Sequence, residues 1–250
     1  MTARSVVKGG NSGIEANNFG TGATKITANG AVTGTAADGI HAENAGTATA
    51  LTVTANSTVT GGQRGILARN YGSGATEITA NGDVTGDFRA GIEVYNNTNA
   101  TDLTVTASAK VAGGTFGIYA FNNGSGPVEI TAKGNVTGTV EDGINAVSDG
   151  TPISVAVGPN SAVKSAGTDT DDFAVETAGG ATTLTVSGIL KGGAGGAVQF
   201  DQTNAFNDRL ELRPGFGITT SGAAGARTWF SPVPARTRWP LPGRATAGSV

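Results

Sequence analysis

Few residues in this chain have acid-base or metal-binding capability. Histidine occurs once, as His41, and cysteine not at all, so no His/Cys set with zinc-ligand spacing exists. A nucleophilic triad would have to be built on His41, and no serine stands in a strained elbow context. Carboxylates are the remaining candidates, and cleaving a glycosidic bond asks for two of them within roughly 5–10 Å. Glu77 and Glu129 fall in one column of the repeat described below, two coils and roughly 10 Å apart, with Thr104 between them. Asp169, Asp171, Asp172 and Glu176 form a denser group. That group sits where the repeat slips, and Thr168 to Asp172 reads as a solvated surface loop. The Gly-Gly-x-Gly-x-Asp calcium repeat is absent. The expectation is a protein with no catalytic, cofactor-binding or metal-binding residue and no cofactor.

The elements that position these side chains follow from a repeat. Gly13-Ile14, Gly39-Ile40, Gly65-Ile66, Gly91-Ile92, Gly117-Ile118 and Gly143-Ile144 recur every 26 residues without a slip, and a fixed period in this range marks a stacked architecture. Four residues after each of the first five isoleucines stands an asparagine: Asn18, Asn44, Asn70, Asn96 and Asn122. Identical amides stacked at one strand spacing can bond to each other and to turn backbone, so this track is assigned a structural ladder. A glycine track follows at Gly20, Gly46, Gly72, Gly124 and Gly150, broken by Thr98.

Between the Gly-Ile steps, apolar and polar residues alternate in runs of four to six. Odd coils read Ile-Thr-Ala-Asn-Gly-x-Val-Thr-Gly, with close copies at residues 26–34, 78–86 and 130–138. Even coils read Leu-Thr-Val-Thr-Ala, at residues 51–55 and 103–107. The full unit is therefore a pair of coils, 52 residues long. Such alternation, rich in Thr and β-branched residues, predicts short half-buried strands and no helix. Three strands per coil, in register, describe a parallel β-helix. Ile14, Ile26 and Val32 point inward from the first coil, and Ile40, Leu51, Val53 and Val59 from the second. Apolar pairs continue at Ile153/Val155, Leu184/Val186 and Leu210/Leu212, giving about eight coils and a rod of roughly 40 Å. His41 occupies a slot held elsewhere by Glu15, Leu67, Glu93, Tyr119 and Asn145, a tolerance that predicts an exposed side chain.

Composition bounds the partners. The four tail arginines, Arg227, Arg236, Arg238 and Arg244, leave twelve basic residues against all nineteen acids in residues 1–219. The body is thus at −7 and the tail at +4. An acidic body lacks the clustered basic face of a nucleic-acid binder. Residues 1–10 contain no apolar run of signal-peptide length, and no stretch is long enough for a transmembrane helix. Ser5-Val6-Val7-Lys8-Gly9-Gly10 aligns with residues 57–62, so the chain opens partway through an even coil. Residues 1–219 are assigned to the solenoid. Residues 220–250 form a Pro/Arg-rich tail holding both tryptophans and half the prolines, a composition consistent with out-of-frame translation of GC-rich DNA or with a Pro-rich linker.

The Asp-Gly-Ile-x-Ala-x-Asn step at Asp38 to Asn44, the Ile-Thr-Ala-x-Gly-x-Val-Thr-Gly strands and the segment Asn207 to Gly215 resemble the passenger region of bacterial autotransporters. The resemblance covers about residues 5–219. It implies an all-β, right-handed parallel β-helix (a β-solenoid), exported to the cell surface or secreted through a C-terminal outer-membrane β-barrel in the full-length form. It also implies a non-enzymatic stalk or adhesin that meets glycans or surface proteins of a host or neighbouring cell. The residues alone leave two alternatives, a polysaccharide-degrading β-helix enzyme and an ice-binding solenoid. The second needs a flat face of uncharged threonines, which Lys25, Glu77 and Glu129 interrupt.

Overall fold

Strand formation here follows from residues that suit a pleat on one side and a narrow core on the other. The computed structural model describes residues 1–201 and 206–220, and its 26 strands form three all-parallel sheets of nine, nine and eight strands. Each coil contributes one strand to each sheet, and consecutive coils pair in register, giving a parallel β-solenoid of about eight turns. No helix occurs among the described residues. The tail from residue 221 lies outside them.

The first sheet contains Thr24–Ala28, Leu51–Ala55 and Thr76–Ala80 with their successors, the second contains Val32–Gly34 and Val59–Gly61, and the third contains Ile14–Asn18 and Ile40–Asn44. Inward columns are uniform. Ile26, Val53, Ile78, Val105, Ile130, Val155 and Leu184 stack in the first sheet. Val32, Val59, Val84, Val111 and Val136 stack in the second, and Ile14 through Ile144 stack in the third. All are buried. Each fully buried Ile or Leu contributes roughly 1.5–3 kcal/mol relative to exposure, and each touches its own counterpart one coil away.

The Gly-Ile step has a steric cause. None of its glycines has a positive φ; among the described residues that is confined to Gly150, Gly179, Gly196 and Gly215. Left-handed backbone therefore does not account for glycine at this step; crowding does. A Cβ on Gly91 would lie 2.6 Å from Val111 Cγ1, 2.8 Å from the Ala112 carbonyl oxygen and 2.9 Å from that of Gly117. The amide of each following isoleucine meanwhile donates to the next glycine carbonyl, as in Ile66 N to Gly91 O at 2.9 Å and Ile92 N to Gly117 O at 3.1 Å.

The 26-residue period holds in the third sheet only. In the first, register partners Lys25, Thr52, Glu77, Thr104 and Glu129 are separated by alternating steps of 27 and 25 residues. Even coils carry one more residue in the turn after the asparagine, and odd coils one more in the turn before Gly-Ile. The register then breaks where the sequence slips: Ile144 pairs with Val175, a step of 31. The intervening loop is not wholly solvated. Thr168 through Asp171 are exposed, but Asp172 is 1% exposed and accepts the Asp169 N–H at 2.6 Å.

Substituting Gly91 by Ala forces backbone to move and should lower stability by about 1–3 kcal/mol. Gly22→Ala, at a site where an added Cβ meets nothing within 4 Å, should leave the urea midpoint within error. Equal midpoints for the two variants would remove the crowding argument.

Candidate functional site

The asparagine track is built as two alternating devices. Asn18, Asn44, Asn70, Asn96 and Asn122 stand in one inward column, and all but Asn18 are fully buried. In odd coils the side-chain oxygen accepts the glycine N–H two residues on (Gly20, Gly72, Gly124, at 2.9–3.0 Å) and the amide nitrogen donates to the carbonyl four residues on (Gly22, Gly74, Gly126, at 2.7–2.8 Å). In even coils the turn is longer, and the nitrogen donates to carbonyls five and six residues on, as from Asn44 to Thr49 and Ala50 at 3.0 Å each. The oxygen then accepts a threonine hydroxyl from the preceding coil: Thr24 to Asn44 and Thr76 to Asn96, both at 2.5 Å. This explains why the inward column that holds Leu51 and Leu103 holds Thr24 and Thr76 in odd coils. Direct amide contact within the track is limited to Asn44 Nδ2 and Asn70 Oδ1 at 3.3 Å. A true amide ladder lies at an exposed corner instead, where Asn81 donates to Asn56 and Asn56 to Asn29 at 2.8 Å each. The recurring Ala-Asn pair at residues 28–29, 55–56 and 80–81 was its only sequence signal.

The three outer faces differ in chemistry. The first sheet presents Lys25, Thr52, Glu77, Thr104, Glu129 and Ser154 in one column and threonines at 27, 54, 79, 106 and 131 in the next. Glu77 and Glu129 share a column as the spacing indicates, with Thr104 between them, and both are exposed. Charges on alternate rungs interrupt the threonine face. The second sheet presents mainly Thr and Lys.

The third sheet gathers the residues able to recognise or react. On its early coils Arg64 bridges Asp38 of the preceding coil (3.4 Å) and Glu93 of the following one (2.5 Å), and is only 12% exposed. Leu67, beside it, is 2% exposed. His41 belongs to this network rather than to open solvent, contrary to the tolerance of its slot. Its Nδ1 is 4.0 Å from Asp38 and its Nε2 3.7 Å from Glu43, and Nε2 is buried without a hydrogen-bond partner. The slot does face outward, but the carboxylates of Asp38 and Glu43 flank the ring and leave its side chain 20% exposed.

Further along lie all three tyrosines. Tyr71, Tyr95 and Phe121 form a file, with centroids 6.0 and 5.3 Å apart, and the Tyr95 and Phe121 planes lie within 6° of parallel. Phe116 and Tyr119 pack beside them at 5.2 Å. Such pairs contribute about 0.5–1.5 kcal/mol beyond area burial. Burial, then the Glu93 charge and Tyr95, raise the Tyr119 phenol above its usual range.

Beyond the aromatic file two carboxylates converge. Asn145 Nδ2 donates to Asp142 Oδ2 at 2.8 Å and to Glu176 Oε2 at 2.9 Å. Phe173 N–H donates to Asp142 Oδ1 at 2.6 Å, and Gln199 Nε2 to Glu176 Oε1 at 2.8 Å. Burial above all, with Glu176 adding, pushes the Asp142 carboxyl up to about 7, against the two hydrogen bonds that lower it. Glu141 is raised by partial burial and by Asp172, Asp142, Asp171 and Asp169. Sequence reasoning placed Glu176 with the aspartates of the loop and missed Asp142 as its partner, because 34 residues separate them. A cleft of about 440 Å³ lined by Thr131, Lys133, Pro159, Thr185, Ser187 and Arg213 lies elsewhere and holds no carboxylate. Among the described residues no group of three or more His, Cys, Asp or Glu is placed to hold a metal, and no helix is long and apolar enough to cross a membrane.

No family model, curated protein or solved structure matches the chain. Fold and site together define a parallel β-solenoid with one chemically diverse face.

Asn96→Ala leaves the Thr76 hydroxyl without its acceptor in a buried site. It should destabilise by about 1–3 kcal/mol, read as a lower urea midpoint at unchanged slope, whereas an unchanged midpoint would show the amide to be dispensable.

Proposed function

We propose that this chain is a non-enzymatic surface rod of the autotransporter-passenger type, whose third sheet is an adhesive face. The observation that carries the reading is the concentration of Tyr71, Tyr95, Tyr119, Phe116 and Phe121, with Arg64 and Arg69 beside them, on one side of three consecutive coils. Tyrosine and arginine dominate binding energy at protein contacts, and the other two faces are made of Thr, Lys, Glu and Ser. A solenoid also suits contact by repetition, since weak sites at fixed spacing gain avidity when engaged together. The partners that fit are glycans or surface proteins of a host or neighbouring cell. The acidic body disfavours nucleic acid. Export through a C-terminal β-barrel of the full-length protein is part of the same proposal and rests on the passenger-like repeats.

The test is retention of the purified chain on intact bacterial and epithelial cells. Tyr95→Ala and Phe121→Ala should reduce retention at least about tenfold, as loss of hot-spot side chains does, while Thr104→Ala on the first sheet should not. Folding is checked by circular dichroism. Absence of retention on every surface, or equal loss in all three variants, rejects the adhesive face.

One observation favours a second reading, a polysaccharide-degrading enzyme: the meeting of Asp142 and Glu176 on Asn145. Against it, Asp142 is 1% exposed, and a hydrolase needs its two carboxylates to flank a sugar. Incubation with acidic and neutral polysaccharides should release no reducing ends. Release that disappears in Asp142→Asn would establish the enzyme.

A further inference from the structure

The regular period ends at the coil junction where one amide holds two carboxylates together. We infer that Asp142 and Glu176 form a proton-sharing clasp across this junction, closed while a proton is held between them and loosened when both ionise. Asn145 Nδ2 touches both carboxylates, and each is tied onward. Asp142 Oδ1 takes the Phe173 N–H that opens the strand Phe173–Ala178, and Glu176 takes the side chain of Gln199 one coil further. Three coils are thus joined through one pair of carboxyl groups. Asn145 contributes no acceptor to the pair, and its own Oδ1 is buried without a partner.

The surroundings supply no countercharge. The slot before each Gly-Ile step holds Ser12, Asp38, Arg64, Ala90, Phe116 and Asp142 in turn. At Asp38 the neighbouring rung is Arg64, which pairs with it. Around Asp142 the neighbouring rungs are Phe116 and Phe173, and Phe173 is 7% exposed. The titratable groups facing the pair from adjoining elements are Glu141 on its own turn, Asp169, Asp171 and Asp172 on the long loop, and Tyr119 in the column next to Asn145. Lys164 and Lys191 sit on the outer face of the second sheet. Among the described residues none of these acids makes an ion pair with a lysine or arginine. Two like charges in so little water cannot both be tolerated at short range.

The direction of the pH dependence follows. Asp142 rises from 3.8 to about 7 in the folded chain, so between these values the folded state holds a proton that the unfolded chain has released. This contribution is complete below about pH 4, declines as pH rises, and is gone above about pH 7. The titration belongs to the pair rather than to either residue. Its first effect is local, at the loop and the strand Phe173–Ala178, because those are the segments the pair fastens.

Hydrogen exchange of the full chain, corrected for intrinsic rates, tests this. Residues 166–178 should lose at least about tenfold protection between pH 5 and pH 8, while Ile92–Asn96 should not change, and Asp142→Asn should abolish the loss. Equal protection at both pH values in the wild type overturns the clasp, as does a wild-type profile in Asp142→Asn. Should that variant not fold, the Asp142 carboxyl is followed by carbon NMR. Its midpoint should lie above pH 6 in the wild type and fall by at least about one unit in Glu176→Gln, and an unmoved midpoint overturns the proposal.

Discussion

Parallel pairing at a single strand spacing of about 4.8 Å governs everything else in this molecule. Because consecutive coils lie in register, the nearest neighbour of a side chain is the residue at the same position of the next coil. Each position must therefore be compatible with its own copy. Isoleucine, valine and alanine satisfy that rule by shape, asparagine satisfies it through hydrogen bonds, and glycine satisfies it where even a methyl group would strike the following backbone. Charged residues break the rule unless opposite signs alternate, which Asp38, Arg64 and Glu93 achieve.

That rule also separates what could be read in the sequence from what could not. Inward columns are periodic because the core is, so Ile14, Ile26, Val32 and their successors were legible, along with the coil number and the parallel sheets. The asparagine column was legible as a track, but not its bonding, since turns of five and six residues aim the same amide at different acceptors. Outward chemistry was mostly illegible. His41 reads as exposed from the variety in its slot, yet its ring lies between the carboxylates of Asp38 and Glu43. Tyr71, Tyr95 and Phe121 meet although Tyr71 lies in a turn and the other two in strands. Asp142 and Glu176 stand in the same relation as Arg64 and Glu93 do in regular coils, but the longer loop changes the offset, so the 26-residue period does not pair them.

The departure from the period is itself informative. At the register break the second-sheet slot occupied by Gly138 is taken by Ser165, whose hydroxyl donates to the Glu141 carbonyl at 2.8 Å. The asparagine column ends at Ser148, which donates to Thr151 O at 2.6 Å, and Gly150 adopts a positive φ. Steric and hydrogen-bonding constraints relax together once a turn is free to change length. It is at this point, where the repeat no longer dictates each residue, that the carboxyl pair occurs.

The alternation of 27- and 25-residue steps bears on how such a chain can lengthen or shorten. An odd coil offers a threonine hydroxyl to the even coil after it, and the even coil has the longer asparagine turn to receive it. Removing one coil would set two of the same kind side by side, with a hydroxyl lacking its amide or an amide lacking its hydroxyl. Removing two restores every partner. Gene duplication and deletion in this region are therefore compatible with folding in whole pairs, changing the height of the stack by roughly 10 Å at a time, and the period inherited by the DNA is twice the one visible in a single sheet.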